Sequence, residues 1–265
     1  MRRILLKTLF ALATLGSAIH ALAADGAPES APASYAVLSL VGHDMRLVYY
    51  VSQTSDYIGS TRPHQYATNS TLFDDAAAAG VRDALTQARS EVAVKALQTS
   101  DTALFEAQDK LFQAGSDNGA SKEALRALLK DTGATRVIVL TNYKGAAHLK
   151  MPTLNLYLGS GKLEGIGYYV DNNKRVRAES GEPGKGFVAP YAYIKATLLD
   201  AKTLDVIGEQ FAIDSDTLIN QTASRDVWLA TPDDQKATSL INVVHAAAHD
   251  ATANLLQALL ADKRS

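Results

Sequence analysis

The chain has 265 residues, 26 Lys and Arg against 28 Asp and Glu, and a formal net charge of −2, a balance that argues against nucleic acid or an anionic membrane as its main partner. Hydrophobic residues make up 47% and the charges are mixed, which excludes general disorder. There is no cysteine, so no disulfide can staple the fold and no lipid can be carried on an amino-terminal cysteine.

The first residues read as an export signal. Arg2, Arg3 and Lys7 give a basic start, Thr8 to Ile19 is apolar, and Ala21-Leu22-Ala23 fits cleavage after Ala23. The apolar run is shorter than the about 20 residues that a spanning helix needs, and no second run of that length follows. Without those three cations the basic count falls from 26 to 23 against 28 acids, a net of −5. A soluble protein of the bacterial periplasm is expected, with a signal peptide at 1–23, a flexible Pro/Ala/Ser leader at 24–34 and a single domain at 35–262.

"YAVLSLV" and "MRLVYYV" read as two strands around a Gly42-His43-Asp44 turn, followed by a polar surface loop from Ser52 to Ser70. Thr71 with Asp74 resembles a capping box, and the alanines after it favour a helix to about Ala88. The β-branched valines of "EVAVKAL" (91–97) read as a strand. Asp101 is expected to cap a helix over "TALFEAQDKLFQA", and Ser121 one over "KEALRALLKDTG" that ends at Gly133.

"ATRVIVLTNY" is a short β-branched run entered straight from a helix, a buried strand. "TLNLYL" and "EGIGYYVD" follow, and then the clearest signal in the chain. Ala192, Ile194, Ala196 and Leu198 alternate with Tyr191, Tyr193, Lys195 and Thr197. The turn Asp200-Ala201-Lys202-Thr203 then reverses the chain into Ile207, Phe211 and Ile213, a long antiparallel hairpin with one face buried. Thr231-Pro232-Asp233-Asp234 starts a closing helix that runs to about Ala261.

This order predicts an α+β fold: a mixed β-sheet with helices packed on one face, a long antiparallel hairpin and a long carboxyl-terminal helix. It resembles a group of bacterial envelope domains. They include the periplasmic domain of the curli secretion-channel subunit, the amino-terminal domain of the Tol-system propeller protein, and outer-membrane lipoproteins of peptidoglycan synthesis and exopolysaccharide export. "YAVLSLV", "TGATRVIVL" and the strand, Asp-x-x-Thr turn and strand of "LLDAKTLDVI" carry the resemblance. The stretch from "EGIGYYVD" to "FVAPY" is longer than the pattern, and the lipid-attachment cysteine of several members is absent. The resemblance implies a non-enzymatic domain that binds a protein partner or itself in the cell envelope.

Candidate chemistry is sparse. In "VVHAAAHDA", His245 and His249 are four apart and share a helix face, as in zinc-binding helices. The intervening alanines supply no glutamate base, and no third ligand is identifiable, whereas zinc catalysis needs three. The pair is a weak metal candidate beside the apolar stripe of Leu240, Val244, Ala248, Ala251, Leu255 and Leu259. His43-Asp44 reads as an ordinary turn. "GSGKLEGIG" and "GEPGKGF" lack the glycines of nucleotide loops, and no cofactor is expected. Lys174, Arg175, Arg177 and Lys185 share one hairpin loop, diluted by Glu179 and Glu182.

Six of the eleven tyrosines fall between residues 143 and 193. If helices leave that strand face open, Tyr168, Tyr169, Tyr191, Tyr193 and Lys195 form a recognition surface. The expected function is binding or assembly rather than catalysis. The alternatives are a periplasmic metal-dependent hydrolase at the histidines and a carrier with a small-ligand pocket beside the tyrosines.

Overall fold

The computed structural model describes residues 34–51, 60–68, 70–89, 91–112, 119–151, 156–177, 181, 183–219 and 226–262. All of them fall in one unit, Pro32–Ser265. The expected signal peptide and most of the leader lie outside the described residues.

In chain order the elements are β1 (Ser34–Ser39), β2 (Asp44–Val51), β3 (Ser60–Ala67), α1 (Leu72–Ala88), β4 (Ala93–Leu97), α2 (Thr102–Ala107), α3 (Gly119–Leu129) and β5 (Arg136–Asn142). Three short strands follow, β6 (Lys144–Ala146), β7 (Leu149–Met151) and β8 (Leu156–Leu158). The chain then builds β9 (Lys162–Arg177), β10 (Pro183–Asp200), β11 (Val206–Ser215), β12 (Leu218–Ile219), α4 (Val227–Ala230) and α5 (Asp233–Asp262). The fold is α+β, as the sequence predicts, but helices cover both faces of the sheet rather than one: α1 and α5 lie on one side, α2 and α3 on the other, because alternate residues of β1 and β5 are apolar in both directions.

β10 is the spine of the sheet. Along one side it pairs antiparallel with β9 up to Tyr193 and with β5 from Ile194 onward. Along the other it pairs with β12 at Phe187–Val188 and with β11 from Tyr191 to Leu199. Pro190, which has no N–H for a ladder, sits where β12 gives way to β11. From β9 the sheet continues through β2 to β3, and from β5 through β1 to β4. Strands β1 and β2 do not pair with each other, so the turn at Gly42 moves the chain between two arms of the sheet.

Alternation along the strands builds a core on each face. On one face Val37, Ile138, Leu140, Ile166, Ala192, Ile194 and Ala196 pack against α1 and α5. The two helices approach closely because the contact is made of small residues, among them Ala77, Ala247 and Ala248. A Cβ at Gly80 would overlap the backbone carbonyl oxygen of His245. On the other face Ala36, Leu38, Val137 and Val139 pack under Leu104, Phe105, Leu125 and Leu129 of α2 and α3.

Several local expectations change. The region read as a polar loop from Ser52 to Ser70 contains β3, an edge strand paired antiparallel with β2. It looks like a loop because its residues from Pro63 to Ala67 face solvent, and an edge tolerates proline. Thr71 makes no cap; its hydroxyl donates to Asp75, while Asp74 accepts from Ser39 Oγ (2.6 Å) and the Gly42 N–H (2.9 Å). Asp74 therefore pins the β1–β2 corner, and burial pushes its carboxyl above the ordinary range. Asp101 caps as expected, accepting from Ala103 N at 2.9 Å, but α2 ends at Ala107. Helix α3 starts at Gly119, so Ser121 lies within it. Thr231 turns back to donate to the Val227 carbonyl rather than capping α5.

Candidate functional site

The histidine pair belongs to the helix–helix contact. His245 Nε2 lies 3.0 Å from Asp83 Oδ2 and His249 Nε2 lies 3.2 Å from Gln87 Oε1, both on α1, while His249 Nδ1 contacts Asp250 at 3.0 Å. The described residues contain no group of three or more His, Cys, Asp or Glu side chains placed to hold a metal. His43 stacks on Phe105 with ring centroids 4.4 Å apart, and Asp44 accepts from Gln65 Nε2 at 2.8 Å. The two turn residues thus point to separate structural partners.

The tyrosine face is covered, which corrects the expectation of an outward-facing aromatic surface. The cover is not a helix: β7 and β8 pair into a small hairpin, and Leu149, Met151 and Leu163 close over Tyr169, Tyr191 and Tyr193. Tyr191 and Tyr193 are both 0% exposed. The Tyr193 hydroxyl donates to the Ala146 carbonyl and accepts from the His148 N–H, both at 2.8 Å, and so ties the chain leading into β7 onto the sheet. Burial holds its phenol in the neutral form, with the pKa pushed up to about 12. Tyr168 points to the other face and meets Trp228 edge-on at 5.0 Å. Lys195 alone of the five is not buried, and its ammonium lies 3.6 Å from Glu209.

Beyond that hairpin, toward β11, the same face opens. Phe211 is 47% exposed and stacks on Tyr143 with centroids 4.3 Å apart and planes 12° apart; Tyr143 in turn lies parallel to Tyr193 at 6.5 Å. Val206 and Ile207 are exposed on the same strand. Sequence alternation places Ile207 and Phe211 inward, and the structure reverses this. The reason is a register shift at Leu198/Leu199: Leu199 pairs with Val206, but Leu198 pairs with Gly208, so Ile207 is the extra residue of a bulge. One inserted residue flips every later side chain to the opposite face. Gly208 and Ala212 then turn to the α5 side, Gly208 against Leu255 and Leu259, and Phe211 is delivered to the outer face.

β11 pairs with β10 along one edge only, and among the described residues no strand pairs with its other edge. Its ten residues, VIGEQFAIDS, include neither lysine nor proline. Glu209 is matched by Lys195 and Asp214 by Lys150 within the chain. This is a long, electrically neutral edge carrying exposed apolar side chains, the configuration that proteins ordinarily blunt.

No protein-family model matches the sequence, and no curated protein matches it. Among solved structures, the chain is similar to a DUF330-family protein from Xanthomonas campestris at 8% identity, covering 89% of this chain and 91% of that one with a TM-score of 0.31. It is also similar to PelC from Paraburkholderia phytofirmans, solved as a dodecamer (11% identity, 84% and 86% covered, TM-score 0.26). A third is a neuraminyllactose-binding hemagglutinin homolog from Helicobacter pylori (9% identity, 88% of each chain covered, TM-score 0.32).

A second feature lies at the far end of the tyrosine cluster. Tyr50, Tyr157, Tyr169, Ser160, Asp171 and Lys174 line a cleft of about 200 Å³, with Phe187 at its floor. Among the described residues no helix is long and apolar enough to cross a membrane.

Proposed function

We propose that this chain is an exported, non-catalytic protein of the bacterial envelope that works by association, and that its docking edge is β11. The amino-terminal pattern of basic start, apolar run and Ala-Leu-Ala supports export to the periplasm. The observation that carries the rest is the edge from Gly208 to Ile213, which no strand among the described residues pairs, with Phe211 standing on it and its one charge, Glu209, matched by Lys195. The occupant is a second copy of this chain, its own β11 added antiparallel about a two-fold axis at Phe211.

That register is favoured by charge and contact. It sets Phe211 opposite its counterpart and Glu209 opposite Ile213, which keeps the two Glu209 carboxylates apart. An axis at Glu209 would instead oppose like charges. Because Lys195 already neutralises Glu209 within each copy, no net repulsion resists approach. No metal or cofactor takes part.

Light scattering coupled to size exclusion, run on the mature protein over a concentration series, tests this. Mass should rise from one copy to two. A single copy at every concentration would overturn the assignment.

A further inference from the structure

We infer that the cleft between β2, β8 and β9 is a binding site for a neutral hydroxylated ring of monosaccharide size, distinct from the β11 edge. Its floor is an aromatic ladder across three strands: Tyr50 stacks on Tyr169 at 6.4 Å with planes 24° apart, and Tyr169 on Phe187 at 6.0 Å with planes 17° apart. Tyr169 and Phe187 are buried, so half-buried Tyr50 is the ring of the ladder that meets the cleft. Tyr157, 64% exposed on β8, forms the opposite wall and leans on His148 at 5.2 Å. The volume of about 200 Å³ equals roughly seven waters at their liquid volume. It is smaller than the pockets that take drug-sized ligands. One ring fits.

The polar groups decide which ring. Asp171 is buried, and its Oδ1 accepts from the N–H groups of Asn173 (2.8 Å) and Lys174 (2.9 Å), which fixes the carboxylate at the cleft rim. Ser160 and the Tyr169 side chain also line the cleft. The cleft therefore offers one anionic acceptor, one cationic donor on Lys174, and several hydroxyls, beside the solvent-reaching rings of Tyr50 and Tyr157. A ligand with many hydroxyls uses both signs at once, donating to the carboxylate and accepting from the ammonium.

Other classes fit less well. A quaternary ammonium wants several ring faces converging on one point, but Tyr50, Tyr169 and Phe187 stack in one ladder and the Lys174 charge repels a cation. A purely aromatic ligand would leave Asp171 and Lys174 without new partners and strip water from both.

The test is saturation-transfer NMR on the whole mature chain with methyl β-D-glucopyranoside and methyl N-acetyl-β-D-glucosaminide. Tetramethylammonium chloride and phenol serve as the cationic and aromatic counterparts. At least one glycoside should receive transfer, with a Kd on the order of 1 mM as befits a single ring. Tyr157→Ala, an exposed site that leaves the core intact, should weaken it by about tenfold or more, and Lys174→Ala by less. Phe211→Lys should leave it unchanged, so this site and the β11 edge fail or stand separately. Transfer to neither glycoside, equal transfer in Tyr157→Ala, or a stronger response from tetramethylammonium or phenol would overturn the inference.

Discussion

The sheet ends differently at β3 and β4 than at β11. β4 is five residues long, and Lys95 is exposed on it; β3 carries Pro63 and exposed His64 and Gln65. Short length, lysine and proline are the ordinary means of stopping an edge from pairing onward. β11 has ten residues with neither lysine nor proline; its bulge, at Ile207, lies near the strand's start, and its two acidic side chains are matched by lysines of the same chain. Among the described residues one sheet thus closes itself at two edges and stays open at a third. Among the described residues no three His, Cys, Asp or Glu side chains gather to hold a metal, and the feature that stands out is the β11 edge, not the most aromatic face. The tyrosines of β9 and β10 are core; one phenylalanine on β11 is surface.

The largest effect is expected at Phe211. Phe211→Lys puts two ammonium groups opposite each other across the two-fold, at a cost of about 3 kcal/mol, or roughly a hundredfold in the dimer constant. Sedimentation velocity reads the shift. Phe211→Glu alone should do the same, and an equimolar mixture of the two variants should restore the dimer. Failure of the mixture to re-associate would count against direct opposition of the two residues.

Next in size is the layer behind the open edge. Gly80→Ala forces α1 away from the His245 carbonyl oxygen and should lower unfolding stability by about 2 kcal/mol in urea titration. Because α5 backs β11 through Leu255 and Leu259 against Gly208, the same variant should also weaken self-association. An unchanged denaturation midpoint would mean that the helices can separate without cost.

The covered face has its own signature in alkali. Tyr168, Tyr169, Tyr191 and Tyr193 have phenol pKa values raised by burial, Tyr193 to about 12. A group whose folded pKa is raised stays protonated in the folded state while the unfolded chain ionises. The stability it contributes is complete below pH about 10 and is lost as pH climbs through the folded value. Stability should therefore fall steadily from pH 10 to 12, with the tyrosinate absorbance of these four appearing together with loss of near-ultraviolet dichroism. Ionisation of all eleven tyrosines before any unfolding would contradict a covered face.

The smallest effect is expected at Lys195. Its pair with Glu209 is partly exposed at 3.6 Å, worth at most about 1 kcal/mol. Lys195→Ala should leave stability nearly unchanged yet weaken dimerisation a few-fold, by freeing a negative charge on the open edge. A large stability loss without a change in association would assign Lys195 to the core instead.

Elements with strong internal periodicity were legible from sequence: β5 as a β-branched run, the β10–β11 hairpin with its Asp200 turn, and α5 with its acidic first turn. Asp200 Oδ1 does accept from the N–H groups of Lys202 (2.9 Å) and Thr203 (3.1 Å). What sequence could not supply was contact made at a distance. The lid over the tyrosines comes from β7 and β8, whose six residues carry too little pattern to announce a role. The orientation of β11 departs from simple alternation for a specific reason. Without the bulge at Ile207, the register set at Leu199–Val206 would bring Phe211 opposite Ile194 on the buried face, as alternation suggests. A single inserted residue turns it outward, and nothing in "LDVIGEQF" marks that insertion except Gly208.

The most direct test of the open edge uses the chain's lack of cysteine. Phe211→Cys introduces a single thiol, and a matched variant, Gln65→Cys, places one on the defended strand β3. Opposed residues of an antiparallel pair hold their Cβ atoms about 4.5–5.5 Å apart, close enough for a disulfide to form with small adjustment. Under mild oxidation at low protein concentration, Phe211→Cys should convert to a covalent dimer while Gln65→Cys remains monomeric. Equal, collision-limited dimerisation of both variants, or none of either, would contradict pairing at β11.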